Sequence, residues 1–127
     1  MAHRAVPGSD TGAVKIPAPG EVQLWQLPAT ARQRPGDLAR LDAVERSRAA
    51  TLDADRADRF VLGRSLLRGV VGAVLGQAPE AVPLEARCGC GRPHGRPLVV
   101  GAAVHVSLSR SGPRVLVALA ADPVGVD

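Results

Sequence analysis

The sequence predicts an α+β fold in which helices pack against a small antiparallel sheet. Apolar residues recur at helical spacing from about residue 55 to residue 76, whereas the apolar runs after residue 97 are short and β-favouring. A further apolar run at residues 22–27 adds a strand, so the predicted order is β, α, α, β, β. At 127 residues the chain is expected to form one modest domain around a single core.

The first third of the chain predicts one strand between two irregular segments. Residues 1 to about 20 mix Pro, Gly, Ala and scattered charges without periodicity, which indicates a flexible leader. The run at residues 22–27 predicts a short strand that is closed by Pro28. Residues 28–37 are polar and contain two prolines, so they predict a loop.

Two helices are predicted in the middle of the chain. Asp42 followed by Glu45 is typical of a capping box and predicts a short helix that ends near Thr51. A longer helix is predicted from near Asp55 to Gly76, since glycine is a good left-handed terminator. Its predicted apolar face consists of Phe60, Leu67, Val70, Val71 and Val74.

Arg64 and Arg68 lie four residues apart on the longer helix and therefore project together at the edge of its apolar face. Taken alone, such a pair is typical of a solvated flank. The same two positions also belong to one of the motifs described below, which gives Arg68 a second interpretation.

The last third of the chain predicts a hairpin. Residues 98–100 and 103–108 are β-favouring, and residues 115–119 form another apolar run. Between these runs, Ser-Gly-Pro at residues 111–113 predicts a turn, so that the flanking strands pair in antiparallel fashion.

The charge balance is compatible with a phosphate-bearing partner, but it has an equally good alternative explanation. Sixteen basic residues, all arginine except Lys15, stand against twelve acidic ones and give a net charge of +4. Arginine binds phosphate through two parallel hydrogen bonds, although a high arginine content also follows from a GC-rich genome. Aromatic residues are only 2% of the chain, which argues against stacking on single-stranded nucleic acid. No segment is typical of a signal peptide or a membrane span, so a cytoplasmic protein is expected.

Cys88, Cys90 and His94 form a compact group of three metal-ligating residues. Thiolates and an imidazole at this spacing could hold part of a zinc site. The alternative interpretation is a glycine-rich loop without metal that leads into the following Gly-Arg-Pro turn.

Four short segments occur in a fixed order, and together they carry a family resemblance. They are residues 59–68 (RFVLGRSLLR), 94–97 (HGRP), 106–112 (VSLSRSG) and 123–127 (PVGVD). The ordered set resembles the first half of the surfactin-synthetase-type 4′-phosphopantetheinyl transferases, whose pattern is R-F-x-x-G-R-x-L-L-R, G-K/R-P, F-N-x-S-H-S-G and P-x-G-x-D-x-E. The resemblance covers roughly residues 40–127.

The resemblance implies a transferase. Members of this family move the phosphopantetheine arm of coenzyme A onto a serine of an acyl or peptidyl carrier protein, with Mg²⁺, and release 3′,5′-ADP. Their fold is a pseudo-dimer of two α+β halves, so residues 21–127 would be the first half. By resemblance, the coenzyme A phosphates would be contacted by Arg68, Arg96, Ser109 and Arg110. By the same resemblance, Asp127 would be the first carboxylate of the magnesium site.

Three departures from the family pattern modify that expectation. Arg110 stands where the family has histidine, and Ser107 stands where it has asparagine. The second metal carboxylate and the later helix with the general base would follow Asp127, so no catalytic residue is expected among these 127 residues. We therefore expect the chain to supply the coenzyme A-binding half and to need its other half or a second copy. The alternative is a half-domain that binds coenzyme A or pairs with a partner without turnover.

Overall fold

The computed structural model describes residues 2–3, 17–87, 96–99 and 104–121. Its helices and strands, in chain order, are β1 (Ala2–His3), β2 (Val22–Leu27), α1 (Pro35–Ala39), α2 (Ala43–Ala50), α3 (Ala54–Leu75), a 3₁₀ turn (Pro79–Ala81), β3 (Leu84–Arg87), β4 (Arg96–Val99), β5 (His105–Ser111) and β6 (Arg114–Ala120). The predicted α+β class, with helices against a small antiparallel sheet, is confirmed.

The main sheet has the strand order β1-β2-β6-β5. Strand β6 lies between β2 and β5 and is antiparallel to both, while the two-residue β1 adds a parallel pair at the edge. Register places Trp25 opposite Val117 and Val117 opposite Leu108, so these three side chains share one face. Strands β3 and β4 form a separate antiparallel pair.

Helix α3 covers the inner face of the main sheet. Leu67, Val70 and Val71 of α3 are buried against Trp25 and the β6 valines, which forms the main core. Because aromatic residues are scarce, this core is filled mainly by Leu and Val side chains. Apolar burial at about 25 cal/mol per Å² is the main favourable contribution to such a fold.

The other side of α3 is covered as well, by α2. Phe60 and Val61 pack there against Leu41 and Ala49 in a second cluster of buried side chains. A long central stretch of α3 is therefore enclosed by α2 and the sheet together, and the buried residues of this stretch run from Phe60 to Arg68 without interruption. This two-sided burial brings polar as well as apolar residues of α3 into the interior.

The predicted helix boundaries are confirmed. Asp42 caps α2, accepting a hydrogen bond from the Glu45 backbone at 2.8 Å, while the Glu45 side chain accepts one from the Asp42 backbone at 2.9 Å. Helix α3 ends at Gly76, which has the left-handed conformation with φ of 69°. The hairpin is also present, with Gly112 at φ of 59° in its turn.

The predicted loop at residues 28–37 is wrong in its last part, because α1 begins at Pro35. Pro35 occupies the first turn, where its missing N–H group costs nothing. Asp37 accepts a hydrogen bond from the Arg34 backbone at 2.7 Å and another from the Ser65 hydroxyl of α3 at 2.7 Å. The second bond is tertiary, so proline content alone could not indicate this helix. Strands β1 and β3 were not predicted either, and the flexibility expected of residues 1–20 stays a prediction.

Gly72 allows the chain after α3 to turn back closely over the helix. A Cβ atom at this position would lie 2.6 Å from the backbone oxygen of Gln77. We expect Gly72→Ala to lower the free energy of unfolding by about 1–3 kcal/mol, since the obstructing atom belongs to the backbone. Urea unfolding measures this change. Gly36→Ala is the control, because nothing lies within 4 Å of its Cβ position, and an unchanged stability in Gly72→Ala would contradict the close approach.

Candidate functional site

Three arginines from different elements surround the ring of Phe60. The guanidinium carbon of Arg64 lies 5.3 Å from the ring centroid, that of Arg48 lies 5.7 Å away, and that of Arg110 lies 5.9 Å away. Arg48 comes from the last turn of α2, Arg64 from the turn of α3 after Phe60, and Arg110 from β5. Cations at these distances are attracted by the π face of the ring. We call these four residues the Phe60 cluster.

The guanidinium groups of the Phe60 cluster destabilise one another. Burial lowers the pKa of Arg64, repulsion from Arg48 and Arg110 lowers it further, and the neighbouring carboxylate of Glu45 opposes this shift. Burial also lowers the pKa of Arg110, with a second contribution from Arg48. Arginine stays protonated in proteins despite such shifts, so the cluster is a concentration of positive charge. An anion placed there would relieve the repulsion.

Arg68 lies behind the cluster and is fully enclosed, with 1% of its surface exposed. Its Nε donates to Glu45 Oε1 at 2.7 Å, and its Nη2 lies 3.0 Å from Asp42 Oδ2. Its Nη1 donates to the backbone oxygens of Pro79 at 3.1 Å and of Val82 at 2.9 Å. Arg68 thus connects the start of α2, the middle of α3 and the 3₁₀ turn that follows α3.

Arg64 is held less firmly than Arg68. Its Nη1 lies 3.4 Å from Glu45 Oε2, and its buried Nε has no hydrogen-bond partner in the described part of the chain. The interpretation of Arg64 and Arg68 as a solvated flank is therefore wrong, since both residues are buried. The physical reason is α2, whose Glu45 supplies a carboxylate to the face of α3 that the apolar pattern left unassigned.

The charges of the buried side chains in this region cancel, and a surplus of positive charge is left at the surface. The two carboxylates of Asp42 and Glu45 balance the two guanidinium groups of Arg64 and Arg68. In the described part of the chain, no carboxylate forms an ion pair with Arg48 or Arg110. The Phe60 cluster therefore presents two uncompensated positive charges.

The predicted site residues are brought together only in part. Arg110 lies in the Phe60 cluster, whereas Ser109 lies on the other face of the sheet, because successive strand residues alternate. Arg68 is occupied by protein partners, and its contact with phosphate stays a prediction. Arg96 is the first residue of β4, where its backbone pairs with that of Arg87 in β3, and its contact with phosphate stays a prediction. Asp127 lies outside the described residues, as do Cys88, Cys90 and His94.

Arg48, Phe60 and Glu45 were not predicted as site residues. Arg48 is twelve residues from Phe60 in the sequence and on a separate helix, so spacing carried no signal for it. The one available signal was the capping box, which placed Glu45 in the first turn of α2. Its approach to two arginines of α3 depends on how the two helices pack.

Arg59, outside the Phe60 cluster, links the loop before α1 to the β5–β6 turn. Its guanidinium donates to the backbone oxygen of Pro113 at 2.7 Å, to that of Ala31 and to the carboxylate of Asp58. Burial tends to raise the pKa of Asp58, but hydrogen bonds from Arg59 and from the Gln33 backbone outweigh it and hold the pKa below its usual value. An open cavity of about 680 Å³ lies here, and Arg110 is one of its walls.

Comparisons with known proteins identify no family for this chain. No protein-family model matches the chain, and no curated protein is significantly similar to it. Within the described ranges, no group of three or more His, Cys, Asp or Glu residues could hold a metal ion. In the same ranges, no helix is long and apolar enough to cross a membrane.

Arg68→Met tests the structural role of the buried network. We expect the free energy of unfolding to fall by about 3–5 kcal/mol, because Glu45 would lose its main cation inside the protein. Urea denaturation followed by circular dichroism measures the change. Arg56→Met is the matched control: its side chain is 78% exposed and pairs with Asp53 at 3.6 Å, so we expect a change within about 0.5 kcal/mol. Equal losses of stability in Arg68→Met and Arg56→Met would contradict a structural role for the buried Arg68 network.

The hydrogen bonds that Asp58 accepts from Arg59 and from the Gln33 backbone predict that the stability of the fold depends on pH. Since the folded pKa lies below the unfolded value of 3.8, the stabilisation is fully present above that value and is lost as the pH falls through the lower folded pKa. At pH 7 we expect Asp58→Asn to be less stable than wild type by about 1–3 kcal/mol, and the difference to shrink towards about pH 2. Unfolding curves at several pH values measure it. A stability difference between wild type and Asp58→Asn that stays constant down to that pH would contradict the stabilising role of the ionised Asp58 carboxylate.

Proposed function

We propose that this chain is the coenzyme A-binding half of a 4′-phosphopantetheinyl transferase and that the Phe60 cluster binds a phosphate of coenzyme A. The observation that carries the proposal is the pair of guanidinium groups of Arg48 and Arg110, which lie 5.7 and 5.9 Å from the centroid of a buried aromatic ring and have no carboxylate partner among the described residues. Arg110 and Phe60 both belong to the ordered motifs that resemble this family.

The surplus charge supports a phosphate monoester as the bound group. A monoester carries close to two negative charges at pH 7, because its second pKa is about 6. Arg48 and Arg110, which pair with no carboxylate of the described residues, match that charge, and each can donate two parallel hydrogen bonds to phosphate oxygens. Coenzyme A carries a monoester at its 3′ position, in addition to its pyrophosphate.

The transfer reaction is a wider proposal than coenzyme A binding. It requires a carrier protein that provides the attacking serine, and Mg²⁺ at the pyrophosphate, for which Asp127 is the predicted ligand. Magnesium would neutralise charge on the leaving 3′,5′-ADP, as metal ions do in phosphoryl transfer. A cytoplasmic location, in the company of such carriers, belongs to the same proposal.

Calorimetric titration with coenzyme A tests the proposal. We expect Arg48→Gln and Arg110→Gln each to weaken binding by about tenfold to a hundredfold, which corresponds to the loss of one charge-assisted contact. Arg46→Gln is the matched control, because it removes the same charge from the exposed surface of the same helix. Equal weakening in all three variants would indicate a general charge effect and would contradict a site at Phe60. A wild-type protein that is folded yet binds no coenzyme A would overturn the proposal altogether.

A further inference from the structure

We infer that Glu45 determines the affinity of the Phe60 cluster by withholding Arg64 from the bound anion. This inference rests on the proposed function, since it assumes that the cluster binds a phosphate group. Glu45 does not face the ligand in this arrangement. It acts through Arg64 and is therefore a positioning residue.

The two carboxylate oxygens of Glu45 accept hydrogen bonds from different partners. Oε1 receives the Asp42 backbone N–H at 2.9 Å and Arg68 Nε at 2.7 Å, so it is committed to the interior. Among the described residues, Oε2 accepts a hydrogen bond only from Arg64 Nη1, at 3.4 Å. Glu45 itself is 5% exposed, which places this carboxylate in surroundings where charges interact more strongly than in water.

Arg64 is consequently a cation that could bind the anion if Glu45 did not pair with it. It stands nearest to Phe60 among the three arginines, it has one long hydrogen bond to Glu45, and its buried Nε has no hydrogen-bond partner among the residues that the structure describes. Arg64 and the Glu45 carboxylate neutralise each other, so an anion bound by the guanidinium groups of Arg48 and Arg110 meets two surplus charges. Without that carboxylate it would meet three, and Arg64 would be free to bind it.

Loss of the Glu45 charge should therefore move stability and affinity in opposite directions. Stability falls because Arg68 loses its shortest ion pair inside the protein. Affinity for phosphate rises because a negative charge near the anion has been removed. A residue with a purely structural role would lower both quantities together, so the sign of the affinity change separates the two interpretations.

The experiment measures binding of inorganic phosphate to the whole chain by calorimetry, with thermal unfolding in parallel. We expect Glu45→Gln to melt at a lower temperature and to bind phosphate more tightly, on the order of tenfold, for one charge removed at close range in a protein. Glu45→Asp keeps the charge and should bind within about twofold of wild type. Asp42→Asn is the matched control: Asp42 also pairs with Arg68 but not with Arg64, so it should lose stability without the gain in affinity.

Arg64→Gln gives an independent measurement should Glu45→Gln not fold. It removes one positive charge beside the ring while Arg68 still pairs with Glu45, and we expect phosphate binding to weaken by about tenfold. The double variant Glu45→Gln/Arg64→Gln restores the net charge and should bind close to wild type. The inference is overturned if Glu45→Gln binds phosphate no more tightly than wild type, or if Arg64→Gln binds as wild type does. Failure of the wild type to bind both phosphate and coenzyme A would instead contradict the proposed function.

Discussion

Arg68 and the two carboxylates of α2 form the interaction on which the other parts of the structure depend. The guanidinium group is enclosed, and its partners lie at the start of α2 and in the 3₁₀ turn beyond α3. Replacing such a network by apolar side chains can be neutral for stability, whereas removing one member leaves a buried charge without compensation. The network therefore fixes how α2 lies on α3, and with it the position of Arg48.

The surface site follows from that arrangement. Because α2 is held against α3, Arg48 of its last turn reaches the ring of Phe60, which Arg110 of β5 also reaches. Glu45 belongs to the buried network and to the edge of the Phe60 cluster at once, so the internal charge balance determines the external surplus. The stability of the helix pair and the affinity for an anion are thus properties of one set of charges.

The sequence predicted what depends on short-range pattern. The capping box of Asp42, the end of α3 at Gly76 and the hairpin turn at Gly112 were all predicted, because each is determined by residues only a few positions apart. Helix α1 and the burial of Arg64 were not, since both depend on contacts between distant segments. Of the candidate site, Arg110 was predicted through the family resemblance. Arg48 and Glu45 emerged only from the packing of α2 on α3, which no spacing in the sequence encodes.

The most direct test of this account compares coenzyme A with 3′-dephospho-coenzyme A in calorimetric titrations of the same protein. The two ligands share the pyrophosphate and the pantetheine arm and differ in the phosphate monoester alone. If the surplus charge at Phe60 binds the monoester, the dephosphorylated ligand should bind at least about tenfold more weakly, and Arg110→Gln should abolish most of that difference. Equal affinity of wild type for the two ligands would contradict the account.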